Sequence, residues 1–367
     1  MMSEWKEYEL GDICSRLSSG KGIKAAMISD SAEYAVYGGN GIRGYTSDYN
    51  FEGDCAIIGR QGAYCGNVRY FKGKAYMTEH AVIACANDEH NTRYLSYVLS
   101  AMSLGRLSGQ SAQPGLSVKT LSIQKIKMPS LAIQNKIVTI ISSIEDKIEL
   151  NTAINENLEK QAQAIFKDTI SNIQDRVPFT SVIQVLGGGT PKTDKQEYWN
   201  GEIPFFTPKD VGKPYVLTTE KTITPLGLDN CNSRLYPVNT VFLTARGTVG
   251  KVSLAGVPMS MNQSCYALSG KNKLHQIVVY HYVLETVKSL KHKASGAVFD
   301  AIITRDFDTE TVPLLSEDQI SAFLSVAEPI YSEIQNRTFE NQHLAALRDT
   351  LLPKLMNGDI DVSKVII

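Results

Sequence analysis

The sequence lacks long apolar runs, paired cysteines and a strong excess of either charge. No segment approaches the run of about 20 apolar residues that is needed to cross a bilayer. The six cysteines include no CxxC pair, which indicates reduced thiols rather than a disulfide framework. The first residues also lack the basic-then-apolar pattern of a signal peptide. We therefore expect a cytoplasmic globular protein that makes no membrane contact.

Signatures of common catalytic centres are missing too. The sequence contains no Asn-Pro-Pro-Tyr or Asp-Pro-Pro-Tyr methyltransferase motif, no Walker loop with its Gly-Lys-Ser/Thr ending, and no PD…ExK nuclease cluster. The histidines are scattered, and His275 and His281 are too far apart for a HExxH-type helix face. We therefore expect a protein without a catalytic centre or a metal site.

The charges nearly cancel, with 37 Lys and Arg against 38 Asp and Glu. Residues 1–132 and 171–316 each carry a small basic excess, whereas residues 133–170 and 317–354 are acidic. Binding to phosphates needs a basic surface, and this excess is too small to hold DNA tightly. If DNA is the ligand, a more basic partner must share the binding.

An internal repeat divides the chain into two related halves. Residues 158–161 and 164–169 match residues 339–342 and 345–350, which lie 181 positions later. Each half begins with a β-rich, turn-rich region and ends in a long amphipathic helix. This order predicts an α+β fold with two β-rich domains and two long helices. The predicted segments are a first β-rich domain at 1–132, a central helix at 133–170, a second β-rich domain at 171–316, a C-terminal helix at 317–356 and a tail at 357–367.

The two long helices each carry an apolar stripe at spacings of three and four residues. Two related stripes in one chain favour pairing of the helices with each other; packing of each stripe on its own domain alone is the alternative. Polar Asn151 and Asn341 on the stripes are expected to fix the register. Pro329 predicts a kink or a restart of the second helix, because its ring removes a backbone hydrogen bond. The predicted pairing residues are Ile137, Ile144, Ile148, Leu158, Ile330, Ile334, Leu344 and Leu351.

Two glycine-rich segments have alternative interpretations. Residues 39–44 satisfy the GxGxxG pattern of a dinucleotide-binding enzyme, but a helix must follow that pattern and the next residues form helices poorly. We therefore predict a turn or loop that presents Asn40, Arg43 and Tyr45. Residues 187–193 lack the ending of a phosphate loop, and they predict either a flexible turn or a loop near the DNA backbone.

Polar residues on these and neighbouring turns are the candidate DNA contacts. Arg60 and Arg246 lie in Gly-containing turns that align between the halves, and an arginine fork can grip the O6 and N7 atoms of guanine. The alternative for each is a surface arginine that closes a hairpin. Amide side chains can pair with adenine in the same way, and phosphate contacts are expected from Thr- and Lys-bearing loops. The adenine candidates are Gln61, Asn262 and Gln263, and the backbone candidates are Arg43, Arg69, Thr190, Lys192 and Lys209.

Two motifs carry a resemblance to a known family. Residues 188–193 followed by 203–211 resemble the opening of many target recognition domains in the specificity subunits of type I restriction-modification enzymes. Residues 37–45 resemble a second common opening in that family. The order and duplication of the motifs extend over the whole chain. The first half lacks the Gly-Gly-Thr-Pro opening of the second, so we expect the halves to read different sequences in different loop geometries.

The resemblance implies a function without catalysis in this chain. Two target recognition domains would bind the two ends of a bipartite, asymmetric site on double-stranded DNA, held apart by an antiparallel pair of helices. Two modification subunits would bring S-adenosylmethionine and methylate adenine, and restriction subunits would use ATP and Mg²⁺ for translocation and cleavage. The alternatives are an enzyme that uses residues 39–44, a helical scaffold with structural β domains, and a specificity protein of a methylation-only system.

Overall fold

The structure is a computed structural model that describes residues 5–108, 115–212, 214–293, 301–363 and 365. Residues 1–4, on which the signal-peptide expectation partly rests, and residues 364, 366 and 367 of the predicted tail lie outside the described residues. Contacts divide the chain into two compact units. Unit 1 comprises Met1–Asp146 and Leu344–Ile367, and unit 2 comprises Lys147–His343.

Unit 1 is β-rich at its start and becomes helical before its end. Short 3-10 turns at Ala25–Met27, Gly62–Tyr64 and Leu104–Leu107 lie between its main elements. Its elements in chain order are β1 (Lys6–Glu9), β2 (Cys14–Ser19), β3 (Tyr34–Gly38), β4 (Gly41–Thr46), β5 (Phe51–Gly59), β6 (Val68–Met77), β7 (Ala81–Ala86), α1 (Thr92–Ala101), α2 (Val118–Ser122), β8 (Lys125–Met128) and the first part of α3 (Leu131–Ser171).

The main sheet of unit 1 has the described strand order β2-β7-β5-β6-β3-β4. Neighbouring strands are antiparallel except β3 and β6, which run parallel with Tyr37 opposite Met77. Strand β7 and the second half of β5, residues 55–58, are central and continuously apolar, as expected for strand segments buried on both faces. On one face Ile58 and Val82 pack against Tyr94 and Leu95 of α1 in the main core of the unit.

Unit 2 repeats this plan with shorter strands. A 3-10 turn at Gln196–Tyr198 precedes its longest strand. Its elements after α3 are β9 (Arg176–Pro178), α4 (Phe179–Val182), β10 (Ile183–Gly187), β11 (Trp199–Phe206), β12 (Tyr215–Val216), β13 (Thr222–Ile223), α5 (Pro225–Asp229), β14 (Val241–Thr244), β15 (Val252–Ala255), β16 (Ser260–Met261), β17 (Cys265–Gly270), α6 (Gln276–Lys293), α7 (Thr304–Asp308), β18 (Thr311–Pro313) and α8 (Glu317–Met356).

The described strands of unit 2 form a sheet of order β10-β17-β14-β15-β12 and a smaller one of order β13-β11-β16. Strand β11 runs parallel to β16, with Phe206 opposite Met261, just as β3 runs parallel to β6 in unit 1. Helix α6 packs on β14 and β17, and Val241, Leu268 and Val279 lie in the main core. Both units therefore share one topology around their central antiparallel strands.

The long helices α3 and α8 each contribute one part to unit 1 and one part to unit 2. In unit 1, Ile137 and Ile141 of α3 share an apolar core with Leu355 of α8. In unit 2 the helices run antiparallel, because Asn151 contacts Asn341 while Phe166, farther along α3, packs on Phe323, which precedes Asn341 in α8. The predicted α+β fold with paired long helices is confirmed.

A buried polar layer lies between the two helices of unit 2. Asn151 is completely buried and its amide nitrogen donates to Glu340 Oε2 at 2.7 Å and to Asn341 Oδ1 at 2.9 Å. Arg337 donates to Asn151 Oδ1 at 2.9 Å. A shift of one helix turn would leave the buried amide of Asn151 unpaired, which costs free energy. The layer therefore favours one register of the helices.

The restart expected at Pro329 is wrong, since α8 runs unbroken from Glu317 to Met356; a kink at this residue stays a prediction. Proline inside a helix costs about 3 kcal/mol through the lost hydrogen bond and a steric clash. The side chain of Pro329 is exposed, whereas Ala327, Tyr331 and Ile334 beside it are buried in the core of unit 2. Burial of this apolar face offsets the cost of the proline and keeps the helix continuous.

The predicted pairing residues lie on the inner or flanking faces of α3 and α8. Ile137 and Ile334 are buried, and Ile144 is 8% exposed. The remaining predicted residues are half-buried, and several of them border the apolar cores of the two units. These half-buried residues are Ile148, Leu158, Ile330, Leu344 and Leu351.

Candidate nucleic-acid interface

Loops of unit 1 meet at one edge of its main sheet. Lys21 N donates to Met77 O at 2.9 Å, which ties the end of β2 to the end of β6. Thr78 N donates to Tyr37 O at 2.9 Å, and the backbone of the residue after β5 donates to the turn before β7. These bonds gather residues 20–22, 38–40, 60–61 and 78–80, which we call the first loop cluster.

Unit 2 assembles a matching set of loops. Gly189 N donates to Met261 O at 3.2 Å, and Asn262 N donates to Phe206 O at 3.0 Å. The residue after β14, Ala245, donates to the turn before β17 through a bond of 2.8 Å. Residues 188–190, 207–210, 245–247 and 262–264 therefore form the second loop cluster.

The same backbone hydrogen bonds build both clusters, so their residues correspond one to one. Arg60 N donates to His80 O at 3.0 Å, and Ala245 N donates to Ser264 O at 2.8 Å. Farther along the chain, Leu116 N donates to Arg60 O at 2.8 Å. In the same way, Ile302 N donates to Ala245 O at 2.9 Å. Equivalent backbone bonds therefore anchor the loops of both units, and the expectation that the halves use different loop geometries stays a prediction.

This correspondence places the two arginines at adjacent positions of matching turns. Gln61 forms an isolated bridge with Gly115, and Arg246 forms the equivalent bridge with Ala301. Gln61 is thus the counterpart of Arg246, while Arg60 corresponds to Ala245. The alignment of the two Gly-containing turns is confirmed, and within it the two arginines are neighbours rather than equivalents.

A glycine closes each cluster where the first strand of the sheet ends. A Cβ atom on Gly20 would lie 2.1 Å from Met77 O, and one on Gly188 would lie 2.2 Å from Asn262 O. Real Cβ atoms do not approach this closely, so both positions require glycine. The segment Gly20–Gly22 therefore occupies the place that Gly188–Thr190 occupies in unit 2, although it lacks the Gly-Gly-Thr-Pro sequence.

Arg60 has its guanidinium engaged inside unit 1. The group donates to Leu116 O at 3.3 Å, to Ser19 Oγ at 3.3 Å and to Glu79 O at 3.4 Å. The side chain is partly buried. Arg60 thus connects three loops. To contact a base, its guanidinium would have to give up these hydrogen bonds.

Gln61, His80 and Glu79 form a chain of polar contacts on the first loop cluster. His80 Nδ1 lies 3.0 Å from Gln61 Oε1, and His80 Nε2 lies 3.2 Å from Glu79 Oε1. Gln61 is exposed, and the side chains of His80 and Glu79 are 41% and 45% exposed. The sequence analysis singled out Gln61 but missed the two residues that hold it.

The hairpin of β3 and β4 presents the other predicted residues of unit 1. Asn40, Arg43 and Arg69 are exposed, and Arg69 donates to Asn40 O at 3.3 Å. Tyr45 is half-buried, and its backbone pairs with Ser29 outside the cluster. The glycine pattern at 39–44 runs into strand β4, which includes its last four residues, and not into a helix. The dinucleotide-enzyme alternative is therefore wrong.

The second loop cluster holds a different set of side chains. Thr190 Oγ1 donates to Gln263 Oε1, and both residues are exposed. Asn262 Oδ1 accepts from Ser264 N at 3.0 Å, an Asx contact that shapes the turn. Arg246 is exposed. Thr190, Gln263 and Arg246 are therefore the predicted residues that unit 2 brings together on its surface.

The predicted lysines lie on the same side of unit 2 with different partners. Lys209 Nζ is 3.2 Å from Glu220 Oε2 in an exposed ion pair, which is worth little in water. Lys192 is exposed, and its carbonyl oxygen accepts from Trp199 Nε1 at 3.1 Å. Both ammonium groups remain accessible to a phosphate.

Sequence reasoning missed further members of the two clusters. Lys21 corresponds to Gly189, and the signal for it was the glycine that directly follows the first strand in each half. Asn232 lies against Gly189, and the neighbouring Ser233 Oγ accepts from Met261 N at 3.1 Å. No sequence pattern pointed to this loop, because long-range packing brings it to the cluster.

Two searches of the described residues were negative. Those residues include no group of three or more His, Cys, Asp and Glu side chains arranged to hold a metal ion. Their helices also include none with the length and apolar character that crossing a membrane demands.

Two β-rich units with matched loop clusters, each completed by parts of two long helices, define a duplicated recognition protein of the α+β class. A family model described as type I restriction modification DNA specificity domain matches residues 2–160 and again residues 176–336. The chain belongs to this family.

Similar proteins carry the same description. The EcoprrI specificity subunit of Escherichia coli is 39% identical over 146 residues, which are 39% of this chain and 36% of that subunit. The HindI specificity subunit of Haemophilus influenzae is 22% identical over 327 residues, which are 67% of this chain and 71% of that subunit. The crystal structure of an S subunit from M. genitalium matches 96% of both chains with a TM-score of 0.64 at 15% identity, which shows the fold.

Proposed function

We propose that this chain is the DNA-specificity subunit of a type I restriction-modification complex. Each β-rich unit reads one half of a bipartite, asymmetric site on double-stranded DNA, and the chain directs adenine methylation and cleavage by its partners. It has no catalytic role of its own and acts in the cytoplasm, where the DNA lies.

One observation carries the proposal above all others. The two loop clusters are held by the same backbone hydrogen bonds, yet they present different side chains: Gln61 and His80 in the first, Arg246, Thr190 and Gln263 in the second. A constant framework that carries variable polar groups suits readout of base edges, which differ in their pattern of donors and acceptors. Two unlike clusters suit an asymmetric site.

The charge of the chain supports a shared binding surface. With 37 basic and 38 acidic residues, it offers little net attraction to phosphates. We propose that two modification subunits supply the missing basic surface together with S-adenosylmethionine and adenine methylation. Restriction subunits with ATP and Mg²⁺ complete the complex, and this chain needs no cofactor.

The test is to express the chain with the modification subunit of its own system in a host that lacks adenine methylation, and to map modified adenines across the genome. We expect one bipartite, asymmetric motif. Matched variants use two adjacent glycines: Gly188→Ala forces a contact of 2.2 Å with Asn262 O, whereas a Cβ on Gly187 meets nothing within 4 Å.

The outcomes separate the alternatives. Gly187→Ala should keep the whole motif, and Gly188→Ala should relax or abolish only the half that unit 2 reads. A stable complex that methylates no defined motif would favour the scaffold alternative. A defined motif in a system without any cleavage activity would instead identify a methylation-only system.

A further inference from the structure

The residue after the central strand occupies the same backbone position in both loop clusters. Gln61 directly follows Arg60, whose N–H donates to the turn before β7, and Arg246 directly follows Ala245, whose N–H donates to the turn before β17. Each of the two also forms a bridge with a later segment, Gln61 with Gly115 and Arg246 with Ala301. Both side chains are exposed. The preceding residue is part of the framework, since Arg60 is bound by protein acceptors and Ala245 is buried.

The two residues differ chemically in one respect that the structure resolves. A guanidinium has only donors, whereas a carboxamide has a donor end and an acceptor end. In unit 1 the acceptor end is occupied, because Gln61 Oε1 lies 3.0 Å from His80 Nδ1. Within the described residues, the amide nitrogen of Gln61 has no protein partner.

The histidine is itself held in place. Its other ring nitrogen, Nε2, lies 3.2 Å from Glu79 Oε1. The atoms that face the two ring nitrogens are both oxygens, so a ring N–H at Nδ1 donates to Gln61 Oε1. This ring orientation fixes the carboxamide with its oxygen inward, and the nitrogen then points outward as a donor.

We infer that Gln61 and Arg246 are equivalent specificity-determining residues that each present a hydrogen-bond donor to a base acceptor, and that His80, held by Glu79, is the positioning residue that orients Gln61. The inference rests on the proposed function. The ligand at each position is a base with acceptors on its major-groove edge, such as guanine with O6 and N7. Arginine presents a donor because its guanidinium has donors only, and Gln61 presents a donor because its amide is held with the oxygen inward.

The test uses the complex with its modification subunits and duplexes that carry the wild-type motif with each position changed in turn. Gln61→Glu is isosteric and replaces the outward donor by an acceptor. We expect it to change the preferred base at one position of one half-site, toward cytosine with its amino donor, by about tenfold or more in relative methylation rate. The other half-site should be unaffected.

Variants of His80 separate positioning from folding. His80→Leu removes the donor to Gln61 Oε1 and should reduce discrimination at that same position about tenfold. His80→Asn keeps a donor near the place of Nδ1 and should restore discrimination. A merely structural histidine would not show this rescue at a single base position.

The reciprocal test lies in unit 2. Arg246→Glu should change base preference only in the half-site that Gln61→Glu leaves unaffected, since the two positions are equivalent but belong to different units. Wild-type complex without any base preference would overturn the proposed function and this inference together. If the Gln61→Glu complex kept the wild-type base preference at every position of the motif, the inference alone would be overturned.

Discussion

Unit 1 and unit 2 share a framework and place their polar groups differently. Their loop clusters are built from equivalent backbone bonds, and a glycine closes each one, at Gly20 and at Gly188. On that framework unit 1 mounts an amide held by a histidine, and unit 2 mounts an exposed arginine beside a Thr–Gln pair. The constancy of the backbone and the variation of the side chains indicate that the fold is separable from the sequence it reads.

The two units also differ where the long helices meet. In unit 1 the helices contribute Ile137, Ile141 and Leu355 to an apolar core. In unit 2 the facing residues include the buried amide of Asn151 and the guanidinium of Arg337. Apolar packing in one unit supplies stability, while the polar layer in the other specifies the register.

Alanine substitutions in the helices should give the largest effect and should sharpen this contrast. Ile141→Ala opens a cavity in unit 1 and should lower its free energy of unfolding by about 2–5 kcal/mol. Asn151→Ala removes the buried partner of Glu340 Oε2, of Asn341 Oδ1 and of one Arg337 nitrogen, and it should cost unit 2 about 1–3 kcal/mol. Hydrogen exchange of the full chain, followed unit by unit in denaturant, measures both.

Two exposed residues provide the controls for these substitutions. Ile123 is 58% exposed in unit 1, and Asn157 is exposed on α3 in unit 2. Changing either one to alanine should alter stability by no more than about 0.5 kcal/mol. If Asn157→Ala cost as much as Asn151→Ala, the polar layer would have no special role in unit 2.

Much of this architecture was predictable from the sequence, because it rests on periodic patterns. The apolar stripes fixed the existence and pairing of α3 and α8, and the duplicated helix sequence revealed the repeat. The helix did not restart at Pro329, since burial of Ala327 and Tyr331 on the same helix outweighs a local backbone penalty. Local propensity was overridden by tertiary packing.

The candidate site was less accessible from sequence because its residues meet only through the sheet. Gln61 and His80 are 19 positions apart and come together across neighbouring strands. The sequence aligned the two Gly-containing turns correctly, and the backbone partners show which residue of each turn is held by the framework. Arg60 and Arg246 are of one residue type, but only their hydrogen bonds show that they lie in different surroundings.

Acid should destabilise unit 2 more than unit 1. Burial lowers the pKa of His281 to about 3, and its Nε2 lies 3.1 Å from Tyr331 Oη in the core. The unfolded chain takes up a proton near the ordinary pKa of about 6.5, so the stability present above that pH is lost as pH falls toward 3. The loss should approach about 1.4 kcal/mol per pH unit.

Unit 1 offers the internal comparison for this pH effect. Its histidine with a lowered pKa, His90, is only partly buried, so its contribution should be smaller. Hydrogen exchange of the full chain at pH 7, 6 and 5, corrected for intrinsic rates, should show β14 and β17 losing protection before β5 and β7. His281→Gln keeps an acceptor near Nε2 and cannot titrate, so it should flatten the difference. Equal losses in both units would contradict the assignment.

The smallest expected effect distinguishes the framework arginine from the exposed one. Arg60→Ala removes the donor to Leu116 O, Glu79 O and Ser19 Oγ, and should cost unit 1 about 1 kcal/mol. Arg246→Ala removes an exposed side chain and should leave the stability of unit 2 within about 0.5 kcal/mol.

DNA binding should reverse that order, which makes the pair a sharp test of the comparison. Arg246→Ala should weaken discrimination in one half-site directly, and Arg246→Lys should retain charge while it loses the two-pronged contact with guanine. Arg60→Ala should affect binding only as far as it loosens the first loop cluster, so its effect should shrink at lower temperature. Thermal unfolding and binding by the full complex measure the two properties separately. If Arg246→Ala lowered stability as much as Arg60→Ala did, the division between a framework position and a reading position would not hold.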